Sequence, residues 1–335
     1  MIRKLYSLIV GVFMTVTLHA SSKLEKFDDL WSLGDPVHIE LKFRELLPEA
    51  AALADRSLYL QLLSQIALTE AMQRKFAEAN LTLDTAESFL TPEYPLAKVR
   101  FLLEKGRVFQ QMALFQQGAL AADAENIRAA RKLFHASYEL SKINNFDFHT
   151  ANAAHMIAIA AEDTADKIKW NELAITLAKQ SEDVRAQSWL GSLENNVGQA
   201  YLEAKEYELA LVSFKEALRI REIEGFVLNI LVARWAVART TRLLGKLDNA
   251  LEILLALVNE YDALVKSDTL GAMVQMVPLV RGYVYEDLAE VYCAKTNAVK
   301  SKEMASLAYR ALSKDLYIAK NEPQRLMRLK EILDK

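Results

Sequence analysis

Glycine, proline and cysteine are scarce in this sequence, which has 10 Gly, 6 Pro and 1 Cys among 335 residues. Average usage would supply roughly 23 Gly and 17 Pro. A β-sandwich, a collagen-like chain and a disordered chain are therefore poor fits. The single cysteine, Cys293, excludes an internal disulfide, so stability must come from packing. Its helical surroundings predict a small buried side chain.

A large excess of charge of either sign is also missing. The chain has 41 Lys and Arg against 44 Asp and Glu, and its formal net charge is -3. This balance does not favour nucleic acid or an anionic membrane surface as a partner. We therefore expect neither to be bound.

The motifs of common catalytic and cofactor sites do not occur in the sequence. It contains no Gly-x-x-x-x-Gly-Lys, no Gly-x-Ser-x-Gly and no His-Glu-x-x-His. His149 and His155 are six positions apart, which places them about 120° apart around a helix. We expect no metal site, no cofactor and no catalysis. An enzyme whose site is assembled from distant residues is the alternative.

The first twenty residues have the pattern of a signal peptide. Arg3 and Lys4 precede a mostly apolar stretch, 5–18, which ends shortly before Ala20. At 14 residues this stretch is shorter than the roughly 20 that cross a bilayer as a helix. We expect cleavage after Ala20, an exported protein that is periplasmic or secreted, and no membrane span in the mature chain. A retained anchor is the alternative.

An internal repeat is the most informative feature of the sequence. One copy has small and aromatic residues at offsets 0, 3, 9, 12, 16 and 19, namely Gly198, Tyr201, Tyr207, Ala210, Phe214 and Ala217. The last three recur at i, i+4 and i+7, which indicates one face of a helix. This segment resembles a tetratricopeptide repeat.

Further copies are degenerate but keep the same order of paired helices. The copy that starts at Ala67 keeps offsets 9, 12, 16 and 19, and the copy around Ala238 has Leu in place of the aromatic residues. Weaker copies carry insertions, as between Gly106 and Phe134. The resemblance covers about residues 58–314.

The resemblance implies an all-α fold, an α-α superhelix or tetratricopeptide-like solenoid of stacked antiparallel helix pairs. Residues 21–57 are predicted to form an N-terminal tether and a first helix. Residues 315–335 are predicted to form a C-terminal capping helix, with Asn321 as its cap and Pro323 in its first turn. A polar end helix covers apolar surface that a stack of repeats would otherwise expose.

In this family the first helix of each pair lines the concave side, so the repeat register predicts which polar side chains lie there. The predicted peptide-binding residues are Asn152, His155, Asn195, Asn196, Gln199, Trp235, Arg239 and Arg242. Their amides can bond to a peptide main chain, and the two arginines can bind a carboxylate bidentately. They resemble, in part, the carboxylate clamp of chaperone-binding tetratricopeptide domains, although Asn195 and Trp235 replace its first Lys. The alternative is that they are ordinary polar groups of helix surfaces.

We therefore predict an exported, non-catalytic protein that binds a protein or peptide partner as a scaffold or adaptor. Two alternatives stay open at this point. One is a cell-envelope enzyme, for example a peptidoglycan-acting one, on a helical scaffold. The other is a structural protein that associates with itself.

Overall fold

The structure, a computed structural model, describes residues 26–115, 120–267, 277–315, 318–319 and 322–334. Every regular element in these ranges is a helix, and none of the described residues is in a β-strand. The predicted all-α class is confirmed. The described residues fall into two compact units, an N-terminal unit that ends at Leu193 and a C-terminal unit that begins at Glu194.

The N-terminal unit begins with a 3-10 helix, Phe27–Leu33. The α-helices that follow it are α1 (Pro36–Ala51), α2 (Ser57–Met72), α3 (Phe76–Phe89), α4 (Pro95–Phe115), α5 (Leu120–Ile143), α6 (Asp147–Ala160), α7 (Thr164–Gln180) and α8 (Val184–Gln187). The division between the units falls within α9 (Leu190–Glu203). The helices of the C-terminal unit are α10 (Tyr207–Glu224), α11 (Val227–Leu243), α12 (Leu247–Ser267), α13 (Val277–Ala294), α14 (Ala298–Leu312) and α15 (Pro323–Asp334).

Small residues let neighbouring helices approach closely, as the repeat pattern predicts. Gly198 lies against the ring of Phe214, and a Cβ atom at this glycine would be 2.9 Å from the ring carbon Cδ1. Ala210 and Phe214 are buried in one cluster with Ala236 and Val237 of the next helix pair. The repeat positions therefore form the core between successive helices.

An insertion between Gly106 and Phe134 is absorbed by longer helices. These helices, α4 and α5, have 21 and 24 residues, compared with 16 and 14 for α2 and α3. Gly106 nevertheless lies against the ring of Phe134. The close approach of the two helices is thus kept, although the spacing in the sequence differs from that of the Gly198 copy.

Among the described residues, five helix-to-helix turns share one backbone geometry. Each has three residues, and the middle one has a positive φ between 56° and 76°: Arg74, Asn145, Lys205, Gly245 and Thr296. In each turn the N–H of the third residue donates to the carbonyl five positions earlier, at 2.9–3.1 Å. This is the hydrogen bond of a Schellman motif, which satisfies a carbonyl at the end of the first helix. The chain can therefore reverse direction in three residues.

Both ends of the described chain are packed rather than extended. Residues 27–33 of the predicted tether form the 3-10 helix, and Phe27 is buried in a cluster with Ile39, Phe43 and Leu62. At the other end α15 begins at Pro323 and buries Leu329 and Ile332. The predicted cap Asn321 and the predicted signal segment, 1–20, lie outside the described residues. Among the described helices, none has the length and apolar character that a membrane crossing requires.

The expected burial of Cys293 is wrong, because this residue is exposed. It lies in the last turn of α13, next to the turn Lys295–Asn297, where neighbouring side chains no longer cover the helix. Pro278 is the second residue of α13, and a proline in the first turn of a helix costs no helical hydrogen bond.

Candidate functional site

Polar side chains form a hydrogen-bonded chain across three helices of the N-terminal unit, which we call the polar ladder. Gln65 of α2 donates through Nε2 to Oε1 of Glu104 in α4 at 3.1 Å. Arg107 donates through Nη1 to both oxygens of Glu104 at 3.0 and 2.9 Å. Its Nη2 donates to Oδ1 of Asn152 in α6 at 2.7 Å. The ladder joins α2, α4 and α6 side by side.

The polar ladder is almost entirely buried. Gln65, Glu104 and Asn152 are 2%, 3% and 4% exposed. A buried charge is tolerated only when it is paired and hydrogen-bonded, which Arg107 provides for Glu104. The predicted binding residue Asn152 thus has its carbonyl oxygen engaged by the protein itself.

Two histidines of α6 are buried as neutral rings. Burial, and next the positive charge of Arg100, lower the pKa of His149 from 6.5 to about 3. Burial and Arg107 lower the pKa of His155 from 6.5 to about 4. The ring of His155 meets Trp189 edge to face at 5.6 Å. Nδ1 of His149 is buried and has no hydrogen-bond partner.

The 3-10 helix Phe27–Leu33, which we call the docked segment, is attached to the N-terminal unit through three of its own side chains. Asp28 accepts two hydrogen bonds from Arg100 of α4, one from Nη1 at 2.8 Å and one from Nη2. Trp31 donates through Nε1 to Oε1 of Gln65 at 2.8 Å. Phe27 lies under the Arg100 guanidinium, 4.8 Å from its carbon to the ring centroid. We call the surface that receives this segment, lined by Phe43, Gln65 and Arg100, the segment groove.

A cavity of about 360 Å³ lies beside the docked segment. Its walls include Gln61, Arg100, Phe148, His149 and Arg185. The carboxylate of Asp28 also lines it, 4.0 Å from Nη1 of Arg185. The pKa of Asp28 lies below its ordinary value: burial raises it, and the neighbouring Arg100 more than offsets this. The cavity is large enough for part of a ligand and has polar groups of both charges.

The C-terminal unit has a second cluster, centred on Trp235 of α11. Nε1 of Trp235 donates to Oδ2 of Asp287 in α13 at 2.7 Å. Nε of Arg242 donates to the other oxygen of Asp287 at 2.9 Å. The Trp235 ring packs on Tyr283 with centroids 5.3 Å apart and planes at 31°. Asp287 therefore fixes both the indole and Arg242.

Arginines lie over both rings of this aromatic pair. The guanidinium carbon of Arg239 is 5.6 Å from the Trp235 centroid, and that of Arg325 in α15 is 5.0 Å from the Tyr283 centroid. Burial lowers the pKa of Arg239 below its ordinary value, and Arg242 lowers it further, whereas Asp287 raises it. We call Trp235, Arg239, Tyr283 and Arg325 the arginine–aromatic face.

The C-terminal helix is attached to α13 by ion pairs. Glu286 pairs with Arg325 and with Arg328, and Nε of Arg328 is 2.7 Å from Oε1 of Glu290. Glu286 is buried, so its charge requires these partners. α15 therefore positions Arg325 over Tyr283 as well as covering the end of the stack.

The predicted binding residues are distributed over both units. Asn152 and His155 lie in the N-terminal unit, and Trp235, Arg239 and Arg242 come together in the C-terminal unit. On α9, Asn196 is buried and Asn195 and Gln199 are half-buried. The idea that all of them form one continuous track stays a prediction.

Several members of these clusters were not predicted from the sequence. They are Asp28, Trp31, Gln65, Arg100, Glu104, Arg107, Tyr283, Asp287 and Arg325. One signal was available, because Arg100, Glu104 and Arg107 recur at i, i+4 and i+7 and so form a charged stripe on one face of the helix. No group of three or more His, Cys, Asp or Glu suited to a metal ion occurs in the part of the chain that the structure describes.

Comparison with known proteins identifies the fold. No family model and no curated protein matches the sequence. The structure is similar to the apo form of RapI, with a TM-score of 0.60 and 13% identity over 93% of this chain and 85% of RapI. It is also similar to a signal transduction ATPase with numerous domains from Pyrococcus horikoshii, which has a tetratricopeptide repeat sensor. That match has a TM-score of 0.60 and 14% identity, and it covers 92% of this chain but 45% of the ATPase.

The fold class and the resemblance are thereby confirmed. The chain has an all-α, tetratricopeptide-like fold built from helix pairs with degenerate repeats. This class includes many scaffolds with different ligands, so the function has to be argued from the clusters themselves.

Proposed function

We propose that this chain binds a peptide segment of another protein, as a non-catalytic adaptor, on the arginine–aromatic face of its C-terminal unit. The single observation that carries the proposal is the stacked pair of Trp235 and Tyr283, with an arginine over each ring. Tryptophan, tyrosine and arginine are the residue types that dominate binding energy in protein interfaces. Three helices bring them together here: both rings are buried, and the half-buried Arg239 and Arg325 are the groups of this face that a ligand can reach.

The charges around this face favour a ligand that carries a carboxylate. Arg239 is half-buried; burial lowers its pKa, Asp287 opposes this, and the neighbouring charges of Arg242 and Arg328 lower the pKa further. A carboxylate there would gain charge-assisted hydrogen bonds in partly desolvated surroundings. An acidic side chain or a peptide C-terminus provides that group.

Peptide selection provides the test. A phage-displayed peptide library is selected on the immobilised chain, and the affinities of the recovered peptides are measured for the wild type and for Arg239→Ala. We expect peptides with a shared carboxylate and an affinity loss of about tenfold or more in the variant, since a charged hydrogen bond contributes about 1.5–3 kcal/mol. The matched control is Arg219→Ala, an exposed arginine that pairs with Glu216 on α10. Equal binding by Arg239→Ala and the wild type contradicts the proposal.

Export is the second part of the proposal. We propose that residues 1–20 direct the chain out of the cytoplasm and are removed after Ala20, as the signal pattern supports. Amino-terminal sequencing of the protein recovered from the envelope fraction tests this. A mature chain that starts at Ser21 is the expected result, whereas an intact Met1 in that fraction contradicts cleavage.

A further inference from the structure

The docked segment is bound to the N-terminal unit in the way that a separate peptide would be bound. It lies outside the repeats, and its main anchors are side chains: the Phe27 ring, the Asp28 carboxylate and the Trp31 indole. The partners of these anchors lie on α1, α2 and α4, up to 72 positions away along the chain. A segment from another chain that carried the same three groups could make the same contacts.

The carboxylate is the most selective of the three anchors. Arg100 is buried, and a buried guanidinium requires an anion close to it. Asp28 meets this requirement with two parallel hydrogen bonds, the geometry that makes an arginine–carboxylate pair specific. Asparagine in place of the aspartate would retain the shape and lose the charge. The groove therefore selects an acidic residue next to an aromatic one.

The cavity beside the segment extends the groove beyond what the segment fills. His149, which lines the cavity, is 4% exposed, and its Nδ1 has no hydrogen-bond partner. Nη1 of Arg185 lies 4.0 Å from Asp28, beyond hydrogen-bonding distance. An unsatisfied buried nitrogen is costly, and a ligand group that forms a hydrogen bond with it removes that cost. A longer peptide than the docked segment can thus be accommodated.

We propose that the segment groove is a second binding site, for an acidic–aromatic peptide of a partner protein, and that the docked segment is its built-in competitor. The ligand has an aromatic residue followed directly by a carboxylate and, three residues later, by an indole, which is the pattern of Phe27, Asp28 and Trp31. The site rests on the proposed function only in assigning the chain to peptide binding. Its residues lie in the N-terminal unit, whereas the arginine–aromatic face lies in the C-terminal unit.

The experiment adds the segment in trans to the full chain. The probe is a fluorescein-labelled synthetic peptide of residues 26–34, and its binding is followed by fluorescence anisotropy. In the wild type the tethered segment competes at high effective concentration, so we expect weak binding. The Asp28→Asn substitution weakens the binding of the chain's own segment to the groove. The Kd of this variant for the probe should therefore be lower than that of the wild type by a factor of about ten or more.

Matched controls distinguish recognition of the carboxylate from nonspecific binding of the probe. A probe that carries Asp28→Asn should bind the Asp28→Asn chain about tenfold more weakly than the original probe. Arg100→Met in the chain should abolish the difference between the two probes. If Asp28→Asn does not fold, as judged by far-UV circular dichroism, Trp31→Phe replaces it, because this change removes only the bond to Gln65.

The proposal is overturned if the wild type and the variant chain bind the probe equally, if neither binds it, or if the two probes bind alike. None of these outcomes affects the C-terminal face. Peptides selected there should respond to Arg239→Ala and not to Arg100→Met, so the two proposals fail separately.

Discussion

Acid should destabilise the N-terminal unit between pH 7 and pH 5 because of His149 and His155. Burial lowers their pKa values to about 3 and about 4, compared with 6.5 in an exposed histidine. The unfolded chain therefore binds protons in this range that the folded chain does not. Stability is fully present above pH 6.5 and falls as the pH falls towards the folded pKa values.

The size of the effect follows from these pKa values. One pKa unit is equivalent to about 1.4 kcal/mol, so each ring should lose about 2 kcal/mol of stability between pH 7 and pH 5. Together His149 and His155 should account for about 4 kcal/mol, which is a large part of the stability of a typical domain. The pKa of Asp28 lies below 3.8, so its own titration falls outside this range.

Urea unfolding at pH 7.0, 6.0, 5.5 and 5.0, followed by far-UV circular dichroism, measures the loss. A double variant, His149→Gln and His155→Gln, should show a much flatter dependence on pH, whatever its stability at pH 7. His38→Gln is the matched control, since that ring is exposed on α1. The reasoning is refuted if the free energy of unfolding of the wild type at pH 5 equals that at pH 7, or if the double variant keeps the full dependence.

Three further changes test the packing. Thr296→Gly should stabilise the chain by about 1 kcal/mol, because a β-branched residue with positive φ is strained; thermal unfolding measures it. Gly198→Ala should destabilise by about 1–3 kcal/mol through overpacking against Phe214, and Phe214→Leu in the same chain should recover part of the loss in urea unfolding. Arg107→Met should cost about 3–5 kcal/mol in the same assay, because it leaves Glu104 buried without its cation.

Two of these changes have a further control. Gly245→Ala places a side chain on a positive φ and should destabilise by about 1 kcal/mol, so a loss in both this variant and Thr296→Gly would contradict the strain argument. Combining Glu104→Gln with Arg107→Met should cost less than the two single changes together. Simple additivity of the two would show that their ion pair contributes nothing.

The sequence predicts what depends on local spacing. Gly198, Ala210 and Phe214 are separated by fixed numbers of helical residues, so their shared face follows from helix geometry alone. The fold class and the helix pairs were predictable for the same reason. Cys293 was not, because its exposure depends on where α13 ends.

The clusters depend on tertiary contacts that spacing does not reveal. Asp28 and Arg100 are 72 positions apart, and Trp235 and Asp287 are 52 apart. Neither pair has a motif, since each arises only when separate helices pack side by side. Asn152 was predicted as a ligand-binding amide, and the structure gives its oxygen an internal partner, Arg107, from a helix whose register the sequence leaves open.

The shared three-residue turn explains why the repeats of this chain are so hard to recognise. All five of its left-handed residues are exposed, although the Arg74 guanidinium lies over the Phe115 ring. The turn geometry therefore does not require one particular residue type at its centre. The central residues of the five turns are all different, as their sequences show: Gln73-Arg74-Lys75, Asn144-Asn145-Phe146, Ala204-Lys205-Glu206, Leu244-Gly245-Lys246 and Lys295-Thr296-Asn297. The ends of the helices are therefore recognisable from the backbone dihedral angles of the turns but not from a shared sequence motif.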